Sequence, residues 1–192
     1  GYAIENIENE QQRQRAEKFQ RLTTTILGVL NEAPTLRDAS DGILRLIKEE
    51  TGVDAVGIRL KEGHDFPYFS EDGFDEDFLL AENSLVLRDD EGAACRNADG
   101  SLCLQCTCGM VLSEQCGPPS DLVTEAGSIW TNDAAALAIL LREHDPRPQP
   151  RDRCLHEGFM STALIPIRAD REVIGLLHLN DRRRGRFDAE LI

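Results

Sequence analysis

The sequence lacks a long run of apolar residues. The longest, residues 134–141, is far shorter than the roughly 20 residues that cross a bilayer as a helix. The N-terminal residues are charged and lack the apolar segment of a secretory signal. We therefore expect a cytoplasmic protein without direct membrane contact.

Positive charge is also scarce. The 192 residues include 21 Lys and Arg but 35 Asp and Glu, which gives a net charge of −14. This charge repels phosphate backbones, so we expect no nucleic-acid partner. The one basic run, residues 182–186, is short and typical of a solvated turn.

Three catalytic signatures are missing. The sequence has no Gly-rich phosphate loop and no Gly-x-Ser-x-Gly turn. His156-Glu157-Gly158 lacks the second histidine of a metalloprotease helix. We therefore expect the domain itself not to be catalytic.

Hydrophobic periodicity predicts a largely helical segment at residues 1–33. Its apolar stripe is narrow and is confined to the C-terminal half, at Phe19, Leu22, Ile26 and Val29. Such a helix packs on the domain or on a second copy of itself, or it is a solvated leader. A second helix is predicted to start at Thr35, in the capping box of residues 35–38, and to end at Gly52.

The C-terminal part predicts a β-hairpin. Ala163, Ile165 and Ile167 occupy every second position of the first strand. Residues 173–179, in the second strand, are apolar on both faces. Strands that are apolar on both faces lie in the middle of a sheet covered on each side. Other short elements are less regular. Strands are predicted at 54–60, 66–69 and 127–132, and helices at 75–82 and 134–141. We detect no internal repeat.

Residues 83–126 form an irregular insertion rich in cysteine. Cysteines two apart on an extended chain point to the same side, so we expect a metal site made of Cys106, Cys108, Cys116 and Cys154. Cys103 is the first substitute ligand and His156 the second. Thiolates of this kind suit zinc or an iron–sulfur cluster.

The energetic argument for a metal is that the insertion has few large apolar residues. Structural zinc contributes about 10–16 kcal/mol on binding, more than a few buried leucines give. Scattered free thiols and disulfides are the alternatives, and a reducing compartment makes disulfides the poorer explanation.

The hairpin carries a family resemblance. Ile174-Gly175-Leu176 in its second strand and Asn180-Asp181 before Phe187 resemble the closing hairpin of GAF domains. The resemblance implies an α+β fold with a GAF-like central antiparallel sheet flanked by helices. It covers residues 34–192, after a linker helix at 1–33 and with an exit helix cut short at 192.

GAF domains are small-molecule-sensing modules, so the resemblance also implies a pocket between the sheet and the variable middle segment. Four strand residues are candidates to line it, with ordinary sheet packing as the alternative for each: Arg59, Tyr68, Trp130 and His178. Cyclic-nucleotide-binding members have Asn-Lys where this chain has Asn180-Asp181. A cyclic-nucleotide ligand is therefore not expected.

A narrower subgroup is similar at four short motifs, at residues 106–109, 127–130, 151–154 and 180–183. It is a subgroup of bacterial sensor kinases with PAS and GAF modules. The resemblance implies a sensory domain, in a parent histidine kinase, that relays ligand, metal or redox state through its terminal helices. Expected partners are a second copy in a homodimer and adjacent PAS and kinase domains. The alternatives are a free methionine sulfoxide reductase that uses cysteine chemistry, and a ligand-free dimerisation module.

Overall fold

The apolar hairpin forms the centre of an antiparallel sheet. The computed structural model describes residues 2–117, 120–138, 151 and 153–188. Its five strands lie in the order β2-β1-β5-β4-β3. They are β1 (Ala55–Leu60), β2 (Tyr68–Asp72), β3 (Ile129–Thr131), β4 (Ser161–Ala169) and β5 (Glu172–Asp181).

Helices lie before the sheet and between its strands, which confirms the predicted α+β class. They are α1 (Tyr2–Glu32), α2 (Leu36–Thr51), α3 (Glu76–Glu82), α4 (Cys106–Leu112), the helical residues 134–138 (α5) and α6 (Arg153–His156). Within the described residues, no helix is long and apolar enough to cross a membrane.

Local sequence signals set several helix ends. The Thr35 side chain accepts the Asp38 N–H at 3.1 Å, and Gly52 ends α2 with a left-handed φ of 64°. Asp75 caps α3 by accepting the Phe78 N–H at 2.7 Å. These caps satisfy N–H and C=O groups that have no partner inside the helix.

Helices cover both faces of the sheet. On one face, α2 packs through Leu44 against Val56, Ile58 and Leu179. On the other face, α4 packs through Val111 against core residues that include Leu164 and Leu176. The central strand β5 is therefore buried on both sides, as its sequence predicts.

The structure differs from the sequence prediction at one strand and at two helices. The second strand begins at Tyr68 rather than at residue 66, because Pro67 precedes it and has no N–H to donate. Helices α4 and α6 were not predicted. Residues 139–141 of the predicted helix and residues 189–192 of the exit helix lie outside the described residues.

The insertion contains a repeat that the sequence analysis missed. Residues 86–104 fold into two short hairpin leaves, which we call the two-leaf loop. Each leaf turns at a glycine with positive φ, Gly92 at 83° and Gly100 at 85°. In each leaf an arginine donates to that glycine's carbonyl, Arg88 at 2.9 Å and Arg96 at 2.6 Å.

Backbone hydrogen bonds join the leaves to their stem. Leu87 N–H donates to Cys103 O at 2.8 Å, Cys95 N–H to Leu87 O at 2.9 Å, and Cys103 N–H to Cys95 O at 3.0 Å. The stem is anchored in the core by Leu85 and by the buried Val86. Backbone pairing and a few apolar anchors thus order the insertion. The energetic argument for a metal considered burial and did not consider this backbone pairing.

The chain leaves the sheet through a segment that is fixed on two sides. The Asn132 amide donates to Phe187 O at 2.7 Å and accepts the Phe187 N–H at 2.9 Å. Arg183 and Arg186 donate to the buried Asp181 and to the last carbonyls of α2. Burial acts to raise the Asp181 pKa, but the hydrogen bonds from Arg183 and the charges of Arg183 and Arg186 hold it below its usual value.

Gly175 tests the central strand pairing. A Cβ at this position would collide with the Arg59 carbonyl and lie 2.9 Å from Leu60 Cδ2. We expect Gly175→Ala to lower the free energy of unfolding by about 1–3 kcal/mol, as overpacking does. Gly28→Ala is the matched control, because nothing lies within 4 Å of its Cβ. In the helix α1 it should be neutral or stabilising by up to about 1 kcal/mol. Urea unfolding measures both, and equal effects would contradict the close pairing of β1 and β5.

Candidate functional site

A buried arginine organises the sheet face that points toward α3 and α4. Arg59 lies on β1 with 1% of its surface exposed. Its guanidinium donates to three backbone carbonyls, at 2.8 Å to Phe66, 3.1 Å to Asn83 and 2.6 Å to Glu82. The group joins β1 to the loop before β2 and to the end of α3. Its charge is held by neutral acceptors and by an aromatic ring.

That ring belongs to Tyr68, whose centroid lies 3.7 Å from the guanidinium carbon of Arg59. Burial raises the pKa of Tyr68 well above its usual value, against the opposing effect of the Arg59 charge. The phenol is therefore neutral, and its oxygen lies 2.9 Å from Nδ1 of His178. We assign the phenol as the donor of this hydrogen bond.

His178 is a neutral imidazole. Burial first, and the positive charge of Arg59 second, lower its pKa from 6.5 to about 3. Because Nδ1 accepts from Tyr68, the ring hydrogen is placed on Nε2, which faces Thr162 Oγ1 at 3.5 Å. Arg59, Tyr68 and His178 thus form one buried polar chain.

Asn180 extends this chain and has open hydrogen-bonding positions. Its side chain is fully buried. It lies near enough to the His178 ring to favour the protonated imidazole, but neither of its polar atoms has a hydrogen bond of normal geometry within the described residues. Each unpaired buried polar group costs about 1–3 kcal/mol. Such groups persist where water or a ligand completes them.

Aromatic rings and thiols surround the polar chain. Phe74 and Phe78 stack with centroids 4.9 Å apart, and Phe74 lies 5.5 Å from His178. The Cys108 and Cys154 thiols are close enough to Tyr68 to affect its electrostatics.

The third thiol in this region belongs to Cys106. Its Sγ lies 3.5 Å from Glu82 Oε2, and the same carboxylate lies 3.6 Å from Arg151 Nε. Glu82, Asn180 and Thr162 were not among the predicted site residues. Asn180 could have been found, because it lies two residues after His178 on the same strand and therefore on the same face. No comparable pattern in the sequence pointed to Glu82 as a site residue.

Trp130 does not join the other three predicted pocket residues. It pairs with Ala163 on the neighbouring strand and packs with Leu179 in the core beneath α2, on the opposite face of the sheet. Side chains alternate across a strand, so the buried neighbours Ile129 and Thr131 face the polar chain instead.

The four predicted metal ligands do not converge. Cys106 and Cys108 lie in the helix α4, where residues two apart point about 200° away from each other. The convergence argument assumed an extended chain and was wrong for this pair. Cys154 packs with Phe78 and Phe159, and Cys116 Sγ lies 3.6 Å from Gly127 O.

Among the described residues, which include Cys103 and His156, no group of three or more His, Cys, Asp and Glu side chains is placed to hold a metal ion. The residues as arranged do not fit zinc or an iron–sulfur cluster. Binding of either in solution stays a prediction, which elemental analysis of the purified protein tests.

A surface cavity opens beside the polar chain. It has a volume of 420 Å³ and lies at the free edge of the sheet, between α2, β2 and α3. Tyr68 and Asn83 belong to its wall, so Tyr68 separates this cavity from His178. Glu71 also lines it, and burial raises the pKa of this carboxyl.

Comparison with models of protein families identifies the family of this chain. The GAF domain model matches residues 35–192, so the chain belongs to the GAF domain family. No curated protein matches the sequence significantly.

Solved structures show the same fold at low identity. The GAF domain of a Coxiella burnetii phosphoenolpyruvate-protein phosphotransferase is 16% identical with a TM-score of 0.59, covering 89% of this chain and 82% of that one. The corresponding Acinetobacter domain is 13% identical with a TM-score of 0.57, covering 90% and 82%. Free methionine-R-sulfoxide reductase from Neisseria meningitidis, in complex with its substrate, is 14% identical with a TM-score of 0.55, covering 91% and 79%.

The buried histidine predicts a pH dependence of stability. In the unfolded chain His178 binds a proton near pH 6.5, whereas in the folded protein its pKa is about 3. Stability is therefore present above pH 6.5 and is lost as the pH falls, at up to about 1.4 kcal/mol per pH unit. His178→Gln should remove about 2 kcal/mol of this loss between pH 6.5 and 5. Urea unfolding at each pH measures it, with exposed His64→Gln as the control. Parallel pH profiles for the wild type and His178→Gln would contradict the assignment.

Proposed function

We propose that this chain is a sensory GAF domain of a bacterial signalling protein, a histidine kinase, and that it binds a small polar ligand between the sheet and helices α3 and α4. The observation that supports it most is Asn180, a fully buried amide whose polar atoms have no hydrogen bond of normal geometry within the described residues. It lies beside the neutral His178, on the sheet face that also carries Arg59. A ligand that completes the amide offsets a cost that the empty domain carries.

The site favours a particular ligand chemistry. Arg59 is committed to three carbonyls, so it contributes positive potential rather than free donors. The Asn180 amide offers one donor group and one acceptor. A complementary ligand therefore presents an acceptor and a donor side by side, as an amide or a carboxylic acid does, together with an apolar part for the phenylalanine wall.

The terminal segments supply the route for a signal. Helix α1 packs on α2 and still exposes Phe19, Leu27 and Leu30, at 72%, 53% and 48% of their surface. These residues lie within about 80° on the helix. We propose that a second copy covers this face in a homodimer, with PAS and kinase domains adjacent in the parent chain. All six cysteines lie among the described residues, and no disulfide joins them there. We propose a cytoplasmic location for the domain.

Asn180→Leu separates a binding role from a structural one. The substitution removes two unpaired polar atoms, so the free energy of unfolding should stay the same or rise by about 1–3 kcal/mol. Asn132→Leu is the matched control, because both of its amide hydrogen bonds to Phe187 would be lost, and it should destabilise by about 1–3 kcal/mol. Urea unfolding measures both. A large loss in Asn180→Leu would contradict a ligand role.

The same two variants test binding directly. In a thermal-shift screen of small amides and carboxylic acids, a ligand of this site raises the melting temperature of the wild type and of Asn132→Leu but not of Asn180→Leu. A stable Asn180→Leu with no ligand for the wild type would favour a ligand-free dimerisation module.

Phe19→Glu tests the dimer. A charge in the exposed α1 face should shift the protein from dimer to monomer in sedimentation velocity, because a carboxylate is costly to bury in an apolar interface. Leu80→Glu is the control, since Leu80 is equally exposed at 75% but lies on α3. A monomeric wild type, or equal effects of both variants, would argue against the α1 interface.

A second candidate is a free methionine sulfoxide reductase. Structures of such enzymes share the fold, and the thiols of Cys106, Cys108 and Cys154 lie near the polar chain. They are only 2%, 3% and 7% exposed, whereas a catalytic thiolate must reach its substrate. Turnover of free methionine sulfoxide with a thiol reductant, lost in Cys154→Ser, would replace the sensor proposal.

A further inference from the structure

The two-leaf loop brings together two cysteines that the polar chain does not use. Leu87, Cys95 and Cys103 recur every eight residues, and each donates its N–H to the carbonyl of another member of the set. The three residues thus form a closed ring of backbone hydrogen bonds, at 2.8, 2.9 and 3.0 Å. Within this ring the Cys103 N–H donates directly to the Cys95 carbonyl.

Side-chain parity places both thiols on one face of the ring. Residues directly opposite each other in the leaves and stem are Arg88 with Ala94, Arg96 with Leu102, and Val86 with Leu104. Side chains alternate along each strand, so the next residues, Leu87, Cys95 and Cys103, share the other face.

Burial shows which face is accessible. Val86 is 9% exposed, and Leu104 packs against the core, so their face lies on the domain. Cys95 and Cys103 are each half-buried, so neither residue is enclosed in the core. The Cys103 Sγ lies 3.0 Å from Asn97 Oδ1 within its own leaf.

The hydrogen bond from Cys103 N–H to Cys95 O limits the distance between the two residues. Antiparallel residues that exchange both backbone hydrogen bonds have Cα atoms about 5.5 Å apart. Cys95 and Cys103 share one of these two bonds, because the Cys95 N–H donates to Leu87 O instead. A disulfide needs a Cα separation of about 4.4–6.8 Å with Cβ atoms on the same side. The shared hydrogen bond and the shared face favour a disulfide between these two residues.

We infer that Cys95 and Cys103 form a reversible disulfide that responds to peroxide. One thiolate attacks a peroxide oxygen, which gives a sulfenic acid and releases the first water. The second thiolate attacks that sulfur and forms the S–S bond, and hydroxide leaves as the second water after protonation. The pair loses two electrons and two protons, and one hydrogen peroxide becomes two waters. A dithiol or glutathione returns the pair to thiols.

The disulfide joins Cys95 and Cys103 at the base of the second leaf, which turns at Gly100. Cys103 lies three residues before α4 begins. Cys106, the first residue of α4, has a left-handed φ of 62°, and this helix covers the polar chain. Oxidation thus restrains the segment that closes the sheet face. The inference does not depend on the proposed ligand, because the pair forms whether or not the domain binds one.

Peptide mapping of the whole chain tests the pair. The reduced protein is treated with stoichiometric hydrogen peroxide, alkylated and digested with trypsin. Cleavage after Arg96 separates Cys95 from Cys103 in sequence, so a disulfide appears as two linked peptides. We expect the linked species to be the main product and to disappear on reduction.

Single serine variants identify the partner. The linked species should fall at least tenfold in Cys103→Ser and in Cys95→Ser, and it should be unchanged in Cys116→Ser. In urea, pairing should spread among Cys103, Cys106, Cys108 and Cys116, which share one tryptic peptide. Undiminished linkage of Cys95 in Cys103→Ser, or unlinked Cys95 that is oxidised beyond the sulfenic acid, would overturn the inference.

Discussion

The guanidinium of Arg59 is the interaction on which this side of the domain depends. A cation in a protein core is tolerated only when its hydrogen bonds are largely satisfied. Here three carbonyls from two separate segments meet that need. The same charge acts on its neighbours, since it favours a neutral His178 and lies on the Tyr68 ring. One residue therefore joins β1 to the end of α3 and adds to the effect of burial in keeping the histidine neutral.

The insertion shows how a polar segment becomes ordered without a large core of its own. Its leaves are held by backbone hydrogen bonds, by glycines that adopt left-handed turns, and by arginines that cover the turn carbonyls. Few apolar side chains are needed because the pairing is local and loop closure over short distances costs little entropy. Composition alone underestimates the order of such a segment.

Much of the fold could be predicted from local signals. Alternation in residues 163–167, the capping residue Thr35 and the stop at Gly52 each depend on neighbours in sequence, and each was found. Arg59, Tyr68 and His178 were also proposed together and do lie together. They were chosen as strand residues that could line the pocket implied by the family resemblance.

The misses arose where the backbone state was unknown. Cys106 and Cys108 converge on an extended chain but diverge on a helix, and seven residues rich in thiol and glycine carry no helical period. Trp130 was placed in the pocket by its strand, but its face depends on register with Ala163, which only the folded sheet defines. The eight-residue repeat was hidden because its matching positions combine leucine with cysteine and aspartate with asparagine.

The two hydrogen bonds between the Asn132 amide and the Phe187 backbone have a consequence for protein engineering. Because both backbone groups of Phe187 are held by one amide, the direction in which the chain departs is fixed by β3 rather than by the residues that follow. In a chimera with a helical connector after this point, each added residue turns the downstream domain by about 100°. The length of the connector, counted from Phe187, then decides the rotational phase in which any fused output module is presented.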